Sequence, residues 1–328
     1  GTLSAPRPRT SAVLLIFGAA LVASGCSSRS GNVFRVATGY ASHVLCSEIF
    51  VSGQDPDRDY AENIAASPAL RPLQWAMSHD VDREKREVRV RVFGGYETRS
   101  IYRDGLGCLN VNGEAAADAP TPASFESEPL VASLLGDIAG PDIVEPKDPG
   151  LKAAVDTAFA GPGEATHRWT RAVVVVHEGR VIAERYAPGW GVDTPVHGWS
   201  ATKSVTNALI GVLVRQGKLD VNQPAPIAAW QAPGDSRHAI TVDDLLRMQS
   251  GLALGNSLTA GISSGWNTAA RTLFSEPDQA GFAQKAELEV APGTVWNYTD
   301  SNSHLLARLV RDAAGRKPGM ALAGVAGV

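Results

Sequence analysis

The stretch 199–217 constrains the fold more than any other, because its pattern predicts one amphipathic helix that begins with a potentially reactive pair. Its apolar residues recur at the three-and-four spacing of a buried stripe, at Val205, Ala208, Leu209, Val212 and Leu213. Gly217 stands where a left-handed C-terminal cap is expected, and Arg215 lies in the last turn, facing the negative end of the helix dipole. We therefore expect a well-defined helix that packs against a core.

Ser200 and Lys203 occupy the first turn of this predicted helix. A separation of three places both side chains on the same helix face. A hydroxyl beside an amine supplies a nucleophile and its base, and burial of the amine would lower its pKa until it could take the Ser200 proton. The pair alone is a weak signal, and the alternative is a helix start on the surface with a solvated lysine.

Tyr298 is the third candidate for the chemistry, since it follows a Pro-Gly turn and precedes another predicted helix. A phenol at the edge of a cleft can relay a proton to a leaving group when a cation lies nearby. On spacing alone, an aromatic packing residue is the more ordinary interpretation.

The N-terminal segment 1–30 has the features of a secretion leader. Arg7 and Arg9 precede an apolar run over 11–23 that is short for a membrane span. Small residues leading to Cys26 resemble a bacterial lipoprotein cleavage box, although Ala23 stands where leucine is usual. We therefore expect a periplasmic protein, or one attached to the membrane through lipidated Cys26. Plain secretion and a buried apolar helix are the alternatives.

Cys46 and Cys108 are the two cysteines outside this leader. An exported protein can keep a disulfide between them. The alternative is a pair of free, buried thiols.

Composition shifts divide the chain into four predicted segments. After the leader, 31–113 is expected to be a small β-rich module, with an alternating strand over 87–93, a partner strand over 96–102 and a further buried element over 45–51. The Ala-, Pro-, Asp- and Ser-rich segment 114–149 is expected to be a linker. The remaining 150–328 should form the principal domain.

The clearest hairpin in that domain spans 171–186, with a turn at His177-Glu-Gly179. Its first strand is apolar on both faces, which predicts a central strand that is covered on both sides.

Charge and motif content limit the kinds of ligand that this chain is expected to bind. The net charge of −4 gives no electrostatic case for nucleic acid. The seven histidines show no metal-ligand spacing such as His-x-x-x-His. Because phosphate-loop and dinucleotide fingerprints are also missing from the sequence, we expect no metal and no cofactor.

Taken together, the motifs resemble those of the serine β-lactamase and penicillin-binding-protein-like superfamily, and most closely its class C-type branch with esterases and 6-aminohexanoate-dimer hydrolases. The similar stretches occur in the order expected of the family, at 174–180, 183–186, 198–211, 240–252 and 292–298. The resemblance implies an α+β fold, with an antiparallel sheet flanked by helices and a helical subdomain. It also implies that Ser200 is the acylated nucleophile, Lys203 its base and Tyr298 the tyrosine of the Tyr-x-Asn motif.

Two departures from the family pattern affect the expected function. Asp300 replaces the asparagine of the Tyr-x-Asn motif, and this replacement argues against β-lactam cleavage. Asn302 could supply an amide at a different spacing. Both are weak candidates for substrate binding. The family carries its third motif, Lys-Thr-Gly or His-x-Gly, on a strand late in the sequence, and neither form occurs after Tyr298, so we expect a fold that is incomplete at the C-terminus. Loss of an oxyanion donor costs about 3 kcal/mol, and loss of the strands that would cover the hairpin could cost the fold itself. We therefore expect this chain to be poorly active or unstable.

The resulting prediction is an exported serine acyl hydrolase that acts on a small ester, amide or peptide-like substrate. One alternative lies within the family, a β-lactamase or D-Ala-D-Ala peptidase. The other is a non-catalytic envelope-binding module on a degenerate scaffold.

Overall fold

The computed structural model describes residues 29–111, 143–160, 169–259 and 268–314. Nearly all of the predicted leader, including Cys26, and most of the predicted linker lie outside the described residues. The α-helices are α1 (Arg29–Phe50), α2 (Pro56–Asp59), α3 (Pro149–Ala160), α4 (Thr202–Arg215), α5 (Val242–Leu246), α6 (Thr268–Phe274), α7 (Gln279–Ala283) and α8 (Asp300–Ala313). The strands are β1 (Met77–Asp82), β2 (Glu87–Val92), β3 (Tyr96–Arg103), β4 (Gly107–Val111), β5 (Ala172–His177) and β6 (Arg180–Tyr186).

Shorter helical turns fill several connections. They are a π-helical turn at Tyr60–Ala65 and 3₁₀ turns at Arg71–Ala76, Trp199–Ala201, Ala228–Trp230, Ser236–Ala239 and Ser257–Thr259.

The N-terminal part, residues 29–111, is a four-stranded antiparallel sheet covered by one long helix. The strands pair in sequence order, β1 to β4. In β2, Val88, Val90 and Val92 are buried, as the alternating pattern of that strand predicts. Val88 and Val90 pack with apolar residues of α1 in a core of their own.

Helix α1 is the main feature of this part that the sequence did not predict. The segment 45–51, expected as a separate buried element, is mostly the last turn and a half of α1. Small polar residues interrupt the apolar pattern of the helix, and these are buried because they pair with the sheet. The Thr38 and Thr98 hydroxyls lie 2.8 Å apart, and the Ser42 and Ser100 hydroxyls 2.9 Å apart.

A disulfide bond between Cys46 and Cys108 joins α1 to β4. It ties the last turns of the helix to the edge strand of the sheet.

The hairpin β5–β6 forms a separate two-stranded sheet. Glu178 and Gly179 both have positive φ, at 49° and 75°, as a two-residue turn between right-twisted strands requires. The expectation that β5 is covered on both sides is wrong for the described residues. Val174 and Val176 are 47% and 59% exposed, because no described element packs over them.

The helical part, residues 199–314, has a second core in which α4, α5 and α8 surround buried Trp230. The Trp230 indole N–H donates to the Gln284 carbonyl at 2.9 Å. Helix α5 begins with a capping box, in which Thr241 and Asp244 satisfy each other's backbone N–H groups.

Helices and antiparallel sheets thus combine in the predicted α+β class. Among the described helices, none is both long enough and apolar enough to pass through a bilayer.

Candidate active site

The predicted nucleophile, Ser200, lies just before the N-terminal end of helix α4. A 3₁₀ turn, Trp199–Ala201, leads into the helix. At the other end, Gly217 has φ of 69°, and the Gly217 and Lys218 N–H groups donate to the Val214 and Leu213 carbonyls in the Schellman arrangement.

The predicted buried stripe of α4 is partly wrong. The buried residues are Thr206, Ile210 and Leu213, whereas Val205 is 51% exposed. The core lies against the face that carries Thr206 and Ile210. Of the residues in the predicted stripe, Leu213 is therefore buried and Leu209 is partly buried against the core.

Ser200, Lys203 and Asp300 form one hydrogen-bonded group between the N-terminal ends of α4 and α8. The Lys203 ammonium Nζ donates to Ser200 Oγ at 3.1 Å and to Asp300 Oδ1. The lysine and aspartate side chains are only 19% and 15% exposed, while Ser200 is exposed. The pair predicted from the sequence is therefore in contact, at an accessible position.

The charge of Lys203 differs from the expectation. Burial alone would lower the pKa of the Lys203 amine, but the hydrogen bond and charge of Asp300, with a smaller contribution from Tyr298, outweigh burial and raise that pKa above its usual 10.5. The predicted uncharged amine is therefore not the resting form. At neutral pH an ammonium therefore donates to the serine oxygen, and Asp300 further stabilises its charge.

Tyr298 lies beside this group. Lys203 Nζ is 4.9 Å from the centre of the Tyr298 ring, within range of a cation–π contact. Tyr298 also lines the cavity next to Ser200. The predicted phenol therefore lies close to both the amine and the serine.

The two weak substrate-binding candidates have other partners. The Asp300 carboxylate pairs with Lys203, although the residue also borders the cavity. Asn302 is buried and accepts a hydrogen bond from Ser250 Oγ at 2.9 Å. These contacts lie in the core, and substrate binding by Asn302 stays a prediction.

A cavity of about 580 Å³ adjoins Ser200. Its lining includes Trp199, Ser257, Tyr298 and Asp300, together with largely apolar residues of α1 and α6. The N-terminal part, in which the sequence revealed no chemistry, thus forms part of this candidate site.

A buried cluster of charged side chains lies next to the turn Trp199–Ala201, called here the nucleophile turn. Glu48 of α1 is 2% exposed; its Oε1 lies 3.0 Å from His197 Nδ1 and accepts from Arg171 Nη1 at 2.7 Å. Burial would raise the pKa of Glu48, but His197 and Arg171 outweigh it and lower that pKa. Burial, followed by the charge of Glu48, raises the pKa of neighbouring Asp59 to about 7.

This cluster and the α1 wall are the parts of the site that sequence reasoning missed. Glu48, Arg171 and His197 are far apart in sequence and belong to no recognisable motif. The one available signal in the sequence was Glu48, a glutamate that follows the uncharged stretch 36–47. Among the residues that the structure describes, no group of three or more potential ligands is arranged to hold a metal ion.

Comparison with known proteins gives a family match that covers the site. The beta-lactamase family model matches residues 155–322. A structure provisionally assigned as a 6-aminohexanoate-dimer hydrolase, from Bacillus anthracis, is 22% identical over 46% of this chain and 42% of its own, with a TM-score of 0.38. FmtA from Staphylococcus aureus is 15% identical over 59% of this chain and 53% of its own, with a TM-score of 0.33. The chain spans about half the length of these two structures.

Proposed function

Because the chain belongs to the beta-lactamase family, we propose that it is a serine acyl hydrolase that cleaves an ester or amide through an acyl-enzyme on Ser200. One observation carries this proposal: exposed Ser200 lines a cavity, and its hydroxyl lies 3.1 Å from the Lys203 amine. A nucleophile within hydrogen-bonding distance of its base is the arrangement that such catalysis needs.

In the proposed reaction, uncharged Lys203 takes the Ser200 proton while Oγ bonds to the substrate carbonyl carbon. The carbonyl π electrons move to oxygen, and in this proposal the backbone N–H of Ser200 donates a hydrogen bond that stabilises that charge. The resulting Lys203 ammonium, with Tyr298 as relay, protonates the leaving group as the carbonyl re-forms and the bond to that group breaks. A water molecule then attacks the acyl-enzyme and releases the acid and Ser200.

This mechanism requires Lys203 to lose its proton first, and Asp300 opposes that loss. We therefore expect activity to rise with pH across the alkaline range.

Labelling by a fluorophosphonate tests the proposal. We expect one covalent adduct at alkaline pH, mapped to Ser200 by mass spectrometry and lost in Ser200→Ala. Ser204→Ala is the matched control, since Ser204 is exposed on the same helix one turn further on. A folded protein without an adduct on Ser200 would overturn the proposal.

A non-catalytic envelope-binding module is the second candidate, because the paired ammonium of Lys203 cannot accept a proton. It predicts no adduct and no ester turnover at any pH, together with intact folding by circular dichroism. Nitrocefin turnover would instead favour a β-lactamase, and release of D-alanine a D-Ala-D-Ala peptidase.

We also propose that the protein is exported. The disulfide between Cys46 and Cys108 supports this, because disulfides persist in oxidising compartments. Metabolic labelling with palmitate, compared between the natural chain and Cys26→Ser, tests whether Cys26 anchors it to a membrane. Labelling that persists in the variant would exclude Cys26 as the anchor.

A further inference from the structure

The cavity beside Ser200 is much larger than the reacting groups require. Its volume of about 580 Å³ falls within the usual range for small-molecule sites. It would hold roughly twenty water molecules at ~30 Å³ each, far more than the space an acetyl group occupies. Room therefore remains for a longer substrate group next to the nucleophile.

One wall of the cavity is a continuous face of α1. Val33, Val36, Ala37 and Tyr40 all line it, at intervals of three, four and seven residues that place them on one side of the helix. The Tyr40 ring stacks on Trp199, with ring centres 6.1 Å apart. This face therefore reaches from the cavity interior to the residue that precedes Ser200.

The opposite wall is held firmly against α1. Leu273 and Phe274 of α6 line the cavity, and the Phe274 carbonyl accepts from Asn110 Nδ2 at 3.1 Å. The same amide nitrogen lies 3.0 Å from the Gly39 carbonyl oxygen. A Cβ at Gly39 would collide with the Phe274 carbonyl oxygen, so the two helices are in close contact. The cavity is thus built between fixed elements.

The lining offers little to a charged ligand. Among the lining residues that the structure describes, Asp300 is the one with a charge at neutral pH, and its carboxylate is paired with Lys203. An ionised group would lose its hydration among apolar walls without gaining a partner. An uncharged hydrocarbon chain, by contrast, gains from burial there.

We propose that this cavity binds the uncharged, apolar acyl chain of a medium-chain ester, with the α1 face formed by Val33, Val36, Ala37 and Tyr40 as its wall. The inference rests on the proposed acyl transfer at Ser200 and adds the class of substrate. The N-terminal part then determines chain-length specificity, while the helical part supplies the nucleophile.

The p-nitrophenyl esters of acetate, butanoate, hexanoate and octanoate test this substrate class. We expect kcat/KM to rise about threefold to fourfold for each methylene that becomes buried, the fold-change that corresponds to burial of one CH₂. The rise should end when the chain fills the cavity. A flat or falling series with Ser200-dependent acetate turnover would overturn the inference and leave the proposed function standing.

Two variants locate the effect in the cavity. Val36→Phe adds bulk to the α1 wall, and Leu273→Trp adds it to the opposite wall in case the first variant does not fold. In each we expect the loss of kcat/KM with octanoate to be at least tenfold larger than the loss with acetate. Val51→Phe is the matched control, because Val51 is exposed and lies just beyond α1, outside the lining. Losses equal for all chain lengths would count against the proposed wall.

Binding of the uncharged fluorophore N-phenyl-1-naphthylamine separates the two proposals. We expect saturable fluorescence enhancement in the natural chain, in Ser200→Ala and in Val51→Phe, with a weakened response in Val36→Phe and Leu273→Trp. If this pattern appears without ester turnover, the proposed function fails while the apolar site stands. Enhancement that both cavity-filling variants leave unchanged would overturn the site itself.

Discussion

Replacement of Asp300 by asparagine should make the candidate enzyme more active near neutral pH. The carboxylate of Asp300 contacts the Lys203 amine and raises its pKa. Asparagine has almost the same shape but no charge, and it is the residue that the family motif carries at this position. The substitution should therefore let Lys203 release its proton at lower pH.

The size of the effect follows from the contact. An opposite charge within about 4–6 Å shifts the pKa of a neighbouring group by roughly 1–3 units, and both partners here are mostly buried. The alkaline rise in kcat/KM should move down by a comparable interval. At a pH below that rise, each unit corresponds to about a tenfold larger fraction of uncharged amine. The substitution also leaves the mostly buried Lys203 charge without its partner, so the free energy of unfolding should fall by up to about 3–5 kcal/mol.

The measurement is kcat/KM for p-nitrophenyl acetate from pH 6 to 10 in the natural chain and in Asp300→Asn. Asp312→Asn is the matched control, since it removes the same charge from the far end of α8, at an exposed position. We expect the control profile to follow that of the natural chain. An unshifted profile in Asp300→Asn, or a shift to higher pH, would refute the electrostatic reasoning about Lys203.

Three further predictions concern stability. The pKa of Asp59 is raised from 3.8 to about 7 by burial and by Glu48, so the free energy of unfolding should fall as pH rises from about 4 to 7; urea denaturation should show a flatter pH dependence in Asp59→Asn. Burial lowers the pKa of His304 from 6.5 to about 4, so the stability that its neutral form contributes should be lost as pH falls through that interval, and His304→Gln should weaken this acid dependence. Reduction of the bond between Cys46 and Cys108, which are 62 residues apart, should lower the free energy of unfolding by about 4 kcal/mol on the loop-entropy model, measured as a shift in the urea midpoint upon addition of reductant.

Local patterns in the sequence predicted the elements that are specified locally. The hairpin β5–β6 follows from β-branched runs around a two-residue turn, and the cap of α4 follows from Gly217 at a position that needs positive φ. Helix α1 was missed because its buried side includes Thr38 and Ser42. Those hydroxyls are satisfied by the sheet, a tertiary effect that periodicity cannot detect.

The site shows the same division between local and tertiary information. The contact between Ser200 and Lys203 follows from their spacing on one helix. The charge of Lys203 depends on Asp300, which is 97 residues further along the chain. Burial acts on the Lys203 amine as expected. The direction of the pKa shift, however, is set by Asp300, which only the tertiary fold brings close to the amine.

The buried cluster around Glu48 argues that the two parts of the chain do not function separately. Removing charges from water costs several kcal/mol per ion, and here Glu48 Oε2, Asp59 Oδ2 and His197 Nε2 are buried without a hydrogen-bond partner. Such a cluster is costly to maintain for stability alone, whereas it fixes α1 against the turn that leads to Ser200. Because the same helix also walls the cavity, a displacement of α1 would disturb both the nucleophile turn and the substrate space. We infer that the N-terminal part belongs to the active-site scaffold of this protein and is not an accessory to it.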